Sequence, residues 1–235
     1  MSKLYIVATP IGNLGDITLR AIETLKSVDF ILAEDTRVTK KLLSHLGISK
    51  PLLSFQEHSS PKVLEKILGL LEEGKDSALV TDAGTPGISD PGQKLISYLA
   101  IRLLSELSNR IAVVAIPGPS SLAAMISLSD IGLSEFTFLG FPPHKKGREK
   151  FFKNIATSRY PTIIFESPHR ILKTLSQLRK FCGDRHANIG RELTKMYEEV
   201  FRGTLSEAEK YFTGEKQRGE FAIIISCIDS TFHSK

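Results

Sequence analysis

The sequence predicts two α/β domains, the first on a mainly parallel sheet and the second on a mixed one. Three observations carry that reading. In the first half, short apolar β-rich runs alternate with stretches of three-to-four apolar spacing, the pattern of crossover helices between parallel strands. Near the middle, Ile116-Pro117-Gly118-Pro119-Ser120-Ser121 is the densest Pro/Gly/Ser cluster in the chain, and marks a joint between residues 1–116 and 117–235. Beyond it the last strand-like runs follow one another through short links, which favours antiparallel pairing.

In order, strands are expected over Leu4–Ala8, Phe30–Ala33, Leu52–Phe55, Ala78–Thr81 and Ile111–Ile116. Between them Leu19/Ile22/Leu25, Val63/Ile67/Leu70/Leu71 and Leu95/Tyr98/Leu99/Arg102 each mark one face of an amphipathic helix. In the second half strands are expected over Phe136–Phe141, Thr162–Phe165, Ala187–Gly190, Glu198–Gly203 and Phe221–Ile228. Helices fit Gly147–Ala156, Pro168–Lys180 and Leu205–Phe212.

With 235 residues, 41% hydrophobic and 24% charged, the composition is that of a folded globular chain and excludes disordered and fibrous classes. The longest apolar run, Ile111–Ile116, is far short of the ~20 residues of a membrane span. The opening MSKLYIVATPIG does not read as a signal peptide. Cys182 and Cys227 fit neither a disulfide framework nor a zinc pattern, so a reducing cytoplasm is expected. The net charge of +5 is unevenly spread. Residues 1–118 sum to zero, whereas residues 144–180 carry ten Lys/Arg against Glu149 and Glu166. Such a stripe reads as a solvated helix face or as a surface for a polyanion.

Open α/β sheets bind ligands beyond the carboxyl ends of their strands. There the first half places Thr9-Pro10-Ile11-Gly12, Glu34-Asp35-Thr36-Arg37, the Gly/Pro-rich segment from Thr81 to Gly92, and the 116–121 cluster. Glycines and prolines in three of these four loops suit close backbone approach to a small molecule. Asp90-Pro91 reads as the cap and first residue of the next helix, and Glu34-Asp35 as a ligand-facing pair or a cap. The molecule is neither a dinucleotide, since no G-x-G-x-x-G follows the first strand, nor ATP, since Gln93 displaces the lysine of a P-loop. No nucleophile elbow occurs, and the six histidines show no metal-ligand spacing, so no metal is expected.

The motifs ATPIGNLGDIT, AEDTR, TDAGTPGISDPG, IPGPSS, GFPPHKKGRE, FESPHR and RELTKMYEE occur in this order between about Leu4 and Ile228. As a set they closely resemble the small-subunit ribosomal RNA methyltransferase I family of the tetrapyrrole-methylase superfamily, the class III S-adenosylmethionine methyltransferases. The resemblance implies two α/β domains with S-adenosylmethionine in a cleft between them, a homodimer, and methylation of a cytidine ribose 2′-oxygen near the decoding centre of 16S-type rRNA. Carried over by motif, Pro10 borders that cleft, and Asp82, Gly84, Gly87 and Ile88 surround the methionine part. Pro117, Gly118, Ser120 and Ser121 contact the cofactor from the joint, and the adenosine rests against the second domain, near Phe165 and near the strand carrying Arg191-Glu192-Leu193. Many family members continue past the last strand with a helical extension. Here seven residues follow Ile228, so RNA or an assembled 30S subunit would be gripped by the basic stripe or with a partner's help.

A ribose hydroxyl is a poor nucleophile, so a base or an electropositive group should assist. Asp35, Glu166 and Glu192 are the candidate bases, with Arg37, Lys145 or Lys195 stabilising developing charge. Arg37, Lys145, Lys146, Arg148, His169 and Arg170 are the candidate RNA contacts. Structural readings stand beside these: Ser167-Pro168 as the cap and first residue of a helix, and Arg191-Glu192 as an ion pair at a strand edge. Two other functions stay open: a methyltransferase acting on a tetrapyrrole or diphthamide precursor, and a non-catalytic RNA-binding factor.

Overall fold

Two compact units, Met1–Ser120 and Ser121–Lys235, make up the computed structural model, which describes residues 1–56, 58–90, 92–102 and 111–228. In the first unit the alternating runs become β1 (Ser2–Val7), β2 (Phe30–Ala33), β3 (Leu52–Ser54), β4 (Ser77–Val80) and β5 (Ile111–Ile116). They form one sheet in the order β3-β2-β4-β1-β5, parallel throughout. Its helices are α1 (Leu19–Ser27), α2 (Thr36–His45), α3 (Pro61–Glu72) and α4 (Gly92–Arg102).

Alternate strand residues build two cores. Phe30, Leu32 and Leu79 pack with Ile67 and Leu71 of α3 and Leu95 and Leu99 of α4. Ile31, Ala33, Ala78 and Val80 pack with Ala21 and Leu25 of α1 and Leu43 of α2. The chain steps one way across the sheet through α1 and α2 and then returns through α3 and α4, so crossovers of a single hand lay the two pairs on opposite faces. This is the doubly wound arrangement. It gathers the loops after β1, β2, β4 and β5 on one edge.

In the second unit α5 (Ser121–Ser127) precedes β6 (Thr137–Gly140), α6 (Arg148–Ala156), β7 (Thr162–Glu166), α7 (Ile171–Cys182), β8 (His186–Arg191), β9 (Glu199–Thr204), α8 (Leu205–Tyr211) and β10 (Phe221–Ile225). The sheet order is β6-β7-β10-β8-β9, with β6 and β7 parallel and the other pairs antiparallel. The expected mixed sheet is therefore present, with β10 inserted between β7 and β8. Phe152, Ile171, Leu175, Leu205 and Phe212 cover one face of it. Met125 of α5 approaches Gly190, where a Cβ would stand 2.6 Å from its Sδ, so a larger residue there would have to push the Met125 side chain aside.

Local differences have physical reasons. The helices α2 and α5 are not among the expected elements, since α5 is only seven residues long and the buried stripe of α2, Thr39, Leu42 and Leu43, opens on a polar residue. The cap of α7 is Arg170 and its first residue Ile171, so Ser167-Pro168 forms a turn ahead of the helix and does not open it. β8 stops at Arg191, because Glu192 takes a left-handed φ of 51°. Arg191 and Glu192 are also not paired with each other. Arg191 Nη1 meets Glu199 at 2.9 Å, and Glu192 meets Lys195 at 2.9 Å. Pro91, which the sequence places at the start of α4, lies outside the described residues; Asp90 accepts the Gly92 amide at 2.8 Å, as a cap does.

Candidate functional site

The strand-end edge of the first unit is held together by bonds from loop to loop. Thr9 and Gly84 exchange both backbone hydrogen bonds at 3.0 Å. The Thr9 hydroxyl donates to the Thr81 carbonyl, and the Thr85 hydroxyl to that of Pro119. The Asp35 amide donates to Asp82 at 3.0 Å, and the Asp82 amide to Glu34. Loops after β1, β2, β4 and β5 thus form one cross-linked rim that includes Pro10, Asp82, Gly84 and the Pro117–Gly118 segment. Gly84 has φ +81°, a conformation that side chains resist.

The rim is acidic, with Glu34, Asp35 and Asp82 at adjacent strand ends. Arg37 lies at its edge, its guanidinium gripping Asp35 through Nε and Nη2 at 2.6–3.1 Å. That grip, with the Arg37 backbone N–H, holds the Asp35 carboxyl down at about 2. The Arg37 side chain is 88% exposed.

Beside the rim lies a cavity of about 190 Å³ between the loop after β1, the end of β4 and helix α2. Thr39 and Thr81 line it with buried hydroxyls that have no hydrogen-bond partner among the described residues. Leu14 and Val38, both large and exposed, stand at its margin with Lys41 and Asp82. Sequence reasoning missed Thr39. The signal was present, since Thr39, Leu42 and Leu43 share one buried helical stripe and a polar member of such a stripe needs a partner.

In the second unit the basic motifs separate into surface and interior. Lys145, Lys146 and His169 are exposed. Arg148, expected to meet RNA, is 5% exposed and turned inward: its nitrogens donate to Gln177 at 2.7 Å, the Pro143 carbonyl at 3.0 Å and the Thr174 hydroxyl at 2.7 Å. Arg170, also expected to meet RNA, is mostly buried; it pairs with Glu166 at 2.8 Å and donates to the Pro142 carbonyl. Both guanidiniums therefore pin the backbone of the loop that carries Lys145 and Lys146. Burial explains why a count of charges overstated the exposed stripe.

The same network encloses one catalytic candidate. The Glu166 side chain is fully buried and accepts from Thr174 at 2.5 Å, the Ser167 amide at 2.8 Å and Arg170, which leaves no face for a substrate. Glu192 is likewise engaged, by Lys195 and the Glu220 amide at 2.9 Å each. Burial raises its proton affinity, but those two donors outweigh it and the carboxyl sits below its ordinary value. Glu192 and Glu220 hold the Lys195 ammonium above its ordinary value against its partial burial. Phe165 and Leu193 are buried, with Phe138 and Phe141 packed edge-on against Phe165 at 5.0 and 5.6 Å. Of the three candidate bases, Asp35 alone stands on the rim.

The model of the Tetrapyrrole (Corrin/Porphyrin) Methylases family matches residues 3–209. The ribosomal RNA small subunit methyltransferase I of Thermotoga maritima is 46% identical over 226 residues, 96% of this chain and 99% of that one. Its counterpart in Synechocystis is 44% identical over 228 residues, 96% of this chain and 79% of that one. The solved structure of the methyltransferase CobJ aligns over 96% of this chain and 94% of its own with a TM-score of 0.68, at 14% identity, which is a likeness of fold.

Proposed function

The chain belongs to the tetrapyrrole methylase family and, within it, to the ribosomal RNA small subunit methyltransferases I, and from that premise we propose that it methylates the ribose 2′-oxygen of a cytidine near the decoding centre of small-subunit rRNA. The observation that carries this reading is the 46% identity to a relative of that name along almost the whole of both chains. The cofactor proposed is S-adenosylmethionine, and the residues present suit it. Loops after β4 and β5 offer backbone groups, and the carboxylates of Glu34, Asp35 and Asp82 favour a cationic sulfonium. When bound, that cofactor supplies an electrophilic methyl group on a neutral leaving group. Gly84, Gly87 and Ile88 would hold its methionine part, and Pro10, Pro117, Gly118, Ser120 and Ser121 would border it.

The chain itself must orient the ribose and receive one proton. Fixed loops serve the first need, since alignment of reacting atoms supplies much of the rate of a displacement. For the second, Asp35 is the candidate, oriented by Arg37 and kept ionised, so that it accepts a hydrogen bond from the hydroxyl as its proton leaves. Lys145 and Lys146 are proposed to hold phosphates, on a loop fixed from beneath by Arg148 and Arg170. Among the described residues no helix is long and apolar enough to cross a membrane. A cytoplasmic homodimer is proposed on the family resemblance.

The second reading, a tetrapyrrole or other small-molecule substrate, shares the fold, and CobJ illustrates the likeness. Labelled S-adenosylmethionine offered with 30S subunits, naked rRNA or uroporphyrinogen separates the two. Label in RNA alone supports the proposal, and label in the tetrapyrrole alone replaces it.

A further inference from the structure

We propose that the cavity between β1, β4 and α2 is a pocket for the base of the substrate nucleotide, selective for an amino-bearing pyrimidine. This rests on the reading of the substrate as RNA. Buried hydroxyls without partners are uncommon, and two of them, on Thr39 and Thr81, line the same cavity. Thr39 is 2% exposed and Thr81 is 3% exposed. A helical threonine ordinarily satisfies itself on the carbonyl one turn back, as Thr24 does on Arg20 at 2.7 Å. Thr39 forgoes that bond although Asp35, one turn back, is in reach of its amide. Its hydroxyl is therefore available to a ligand.

Size and lining narrow the ligand. About 190 Å³ is several times the ~30 Å³ share of a water molecule. It is also below the ~300–1,000 Å³ of sites for drug-sized molecules, so a single ring suits it better than a fused purine or the cofactor. Leu14 from the first loop and Val38 from α2 are exposed apolar groups at its margin, the kind of surface on which an unstacked base settles. Hydroxyls pair with the acceptors of any base edge, whereas a carboxylate accepts from the exocyclic amine of cytosine and repels the O4 of uracil. Asp82 supplies that carboxylate, and Lys41 supplies a cation for the adjoining phosphate. Cytosine satisfies the whole set.

The test replaces each hydroxyl by a methyl. Thr39→Val and Thr81→Val remove groups that have no protein partner, so the folded variants should melt no lower than wild type and bind S-adenosylhomocysteine equally well. Their kcat/KM for small-subunit RNA should fall roughly tenfold for each lost bond. In the wild-type protein, cytidine monophosphate should shift the Thr39 and Thr81 methyl resonances, and uridine monophosphate should not. This measurement holds even if a variant fails to fold. Wild-type kcat/KM in the double variant, or unmoved methyl resonances with cytidine monophosphate, would overturn the pocket while leaving the RNA reading intact. Absence of any transfer to RNA by the wild-type enzyme would instead remove the reading on which the pocket rests.

Discussion

Thr9 and Gly84 form an antiparallel bridge between loops that leave two parallel strands, with both backbone hydrogen bonds at 3.0 Å. The bridge fixes the loop after β4 against the loop after β1. Gly84 makes this possible with φ +81°, and a Cβ there would stand 3.2 Å from Ile11 Cγ2. Gly84→Val should therefore cost roughly 2 kcal/mol of stability through backbone strain and crowding. Affinity for S-adenosylhomocysteine should drop sharply as the rim deforms. Thermal melts and titration calorimetry check both, and unchanged affinity in a folded variant would detach this loop from cofactor binding.

The two basic populations of the second unit should respond differently to substitution. Lys145→Ala with Lys146→Ala should leave the melting temperature near wild type and weaken RNA binding. It should lower the salt slope by about 1.5, since each lost phosphate contact contributes ~0.7–0.9. Arg148→Ala should instead destabilise by roughly 3 kcal/mol, because Thr174 and Gln177 lose their buried partner. Glu166→Ala should be equally damaging by stranding Arg170. Urea unfolding separates the groups. A stable Arg148→Ala protein with a reduced salt slope would place that guanidinium on RNA after all.

Asp35 makes a prediction about pH. Its folded-state value of about 2 lies below the ordinary 3.8, so what the Arg37 pairing contributes is in place above about pH 4 and is lost as pH falls through about 2. Asp35 should therefore add no inflection to the rate profile between about pH 5 and 9. Arg37→Ala should move its titration upward towards 3.8. Carbon-detected NMR of the carboxyl reads this directly. An Asp35 titration near 7 would contradict the pairing.

How far the sequence could be read depended on whether a feature is local. Runs such as Phe30–Ala33 and Ile111–Ile116 carry their own pattern, and both strands match residue for residue. Gly/Pro loops after parallel strands are also legible, because topology brings them to one edge whatever their contacts. Burial of a charge is not local. Arg148 and Lys146 look alike in a string of letters, and Thr174, 26 residues away, is what draws Arg148 inward. Glu166 misled for the same reason, since its partners come from the next turn and from α7. Thr39 and Thr174 were readable in part, as polar members of otherwise apolar helical stripes.

The proposed homodimer is checked by light scattering at tens of micromolar, where a mass near twice 26.0 kDa is expected. A monomer at that concentration would contradict it.

The most direct test of the account is the identity of the methylated nucleoside. Small subunits that lack the modification are incubated with the protein and S-adenosylmethionine, and the rRNA is digested to nucleosides and resolved by mass spectrometry. A single new species, 2′-O-methylcytidine, is expected, abolished in the Gly84→Val variant. A methyl group on a base, on another nucleoside, or on no RNA at all would contradict it.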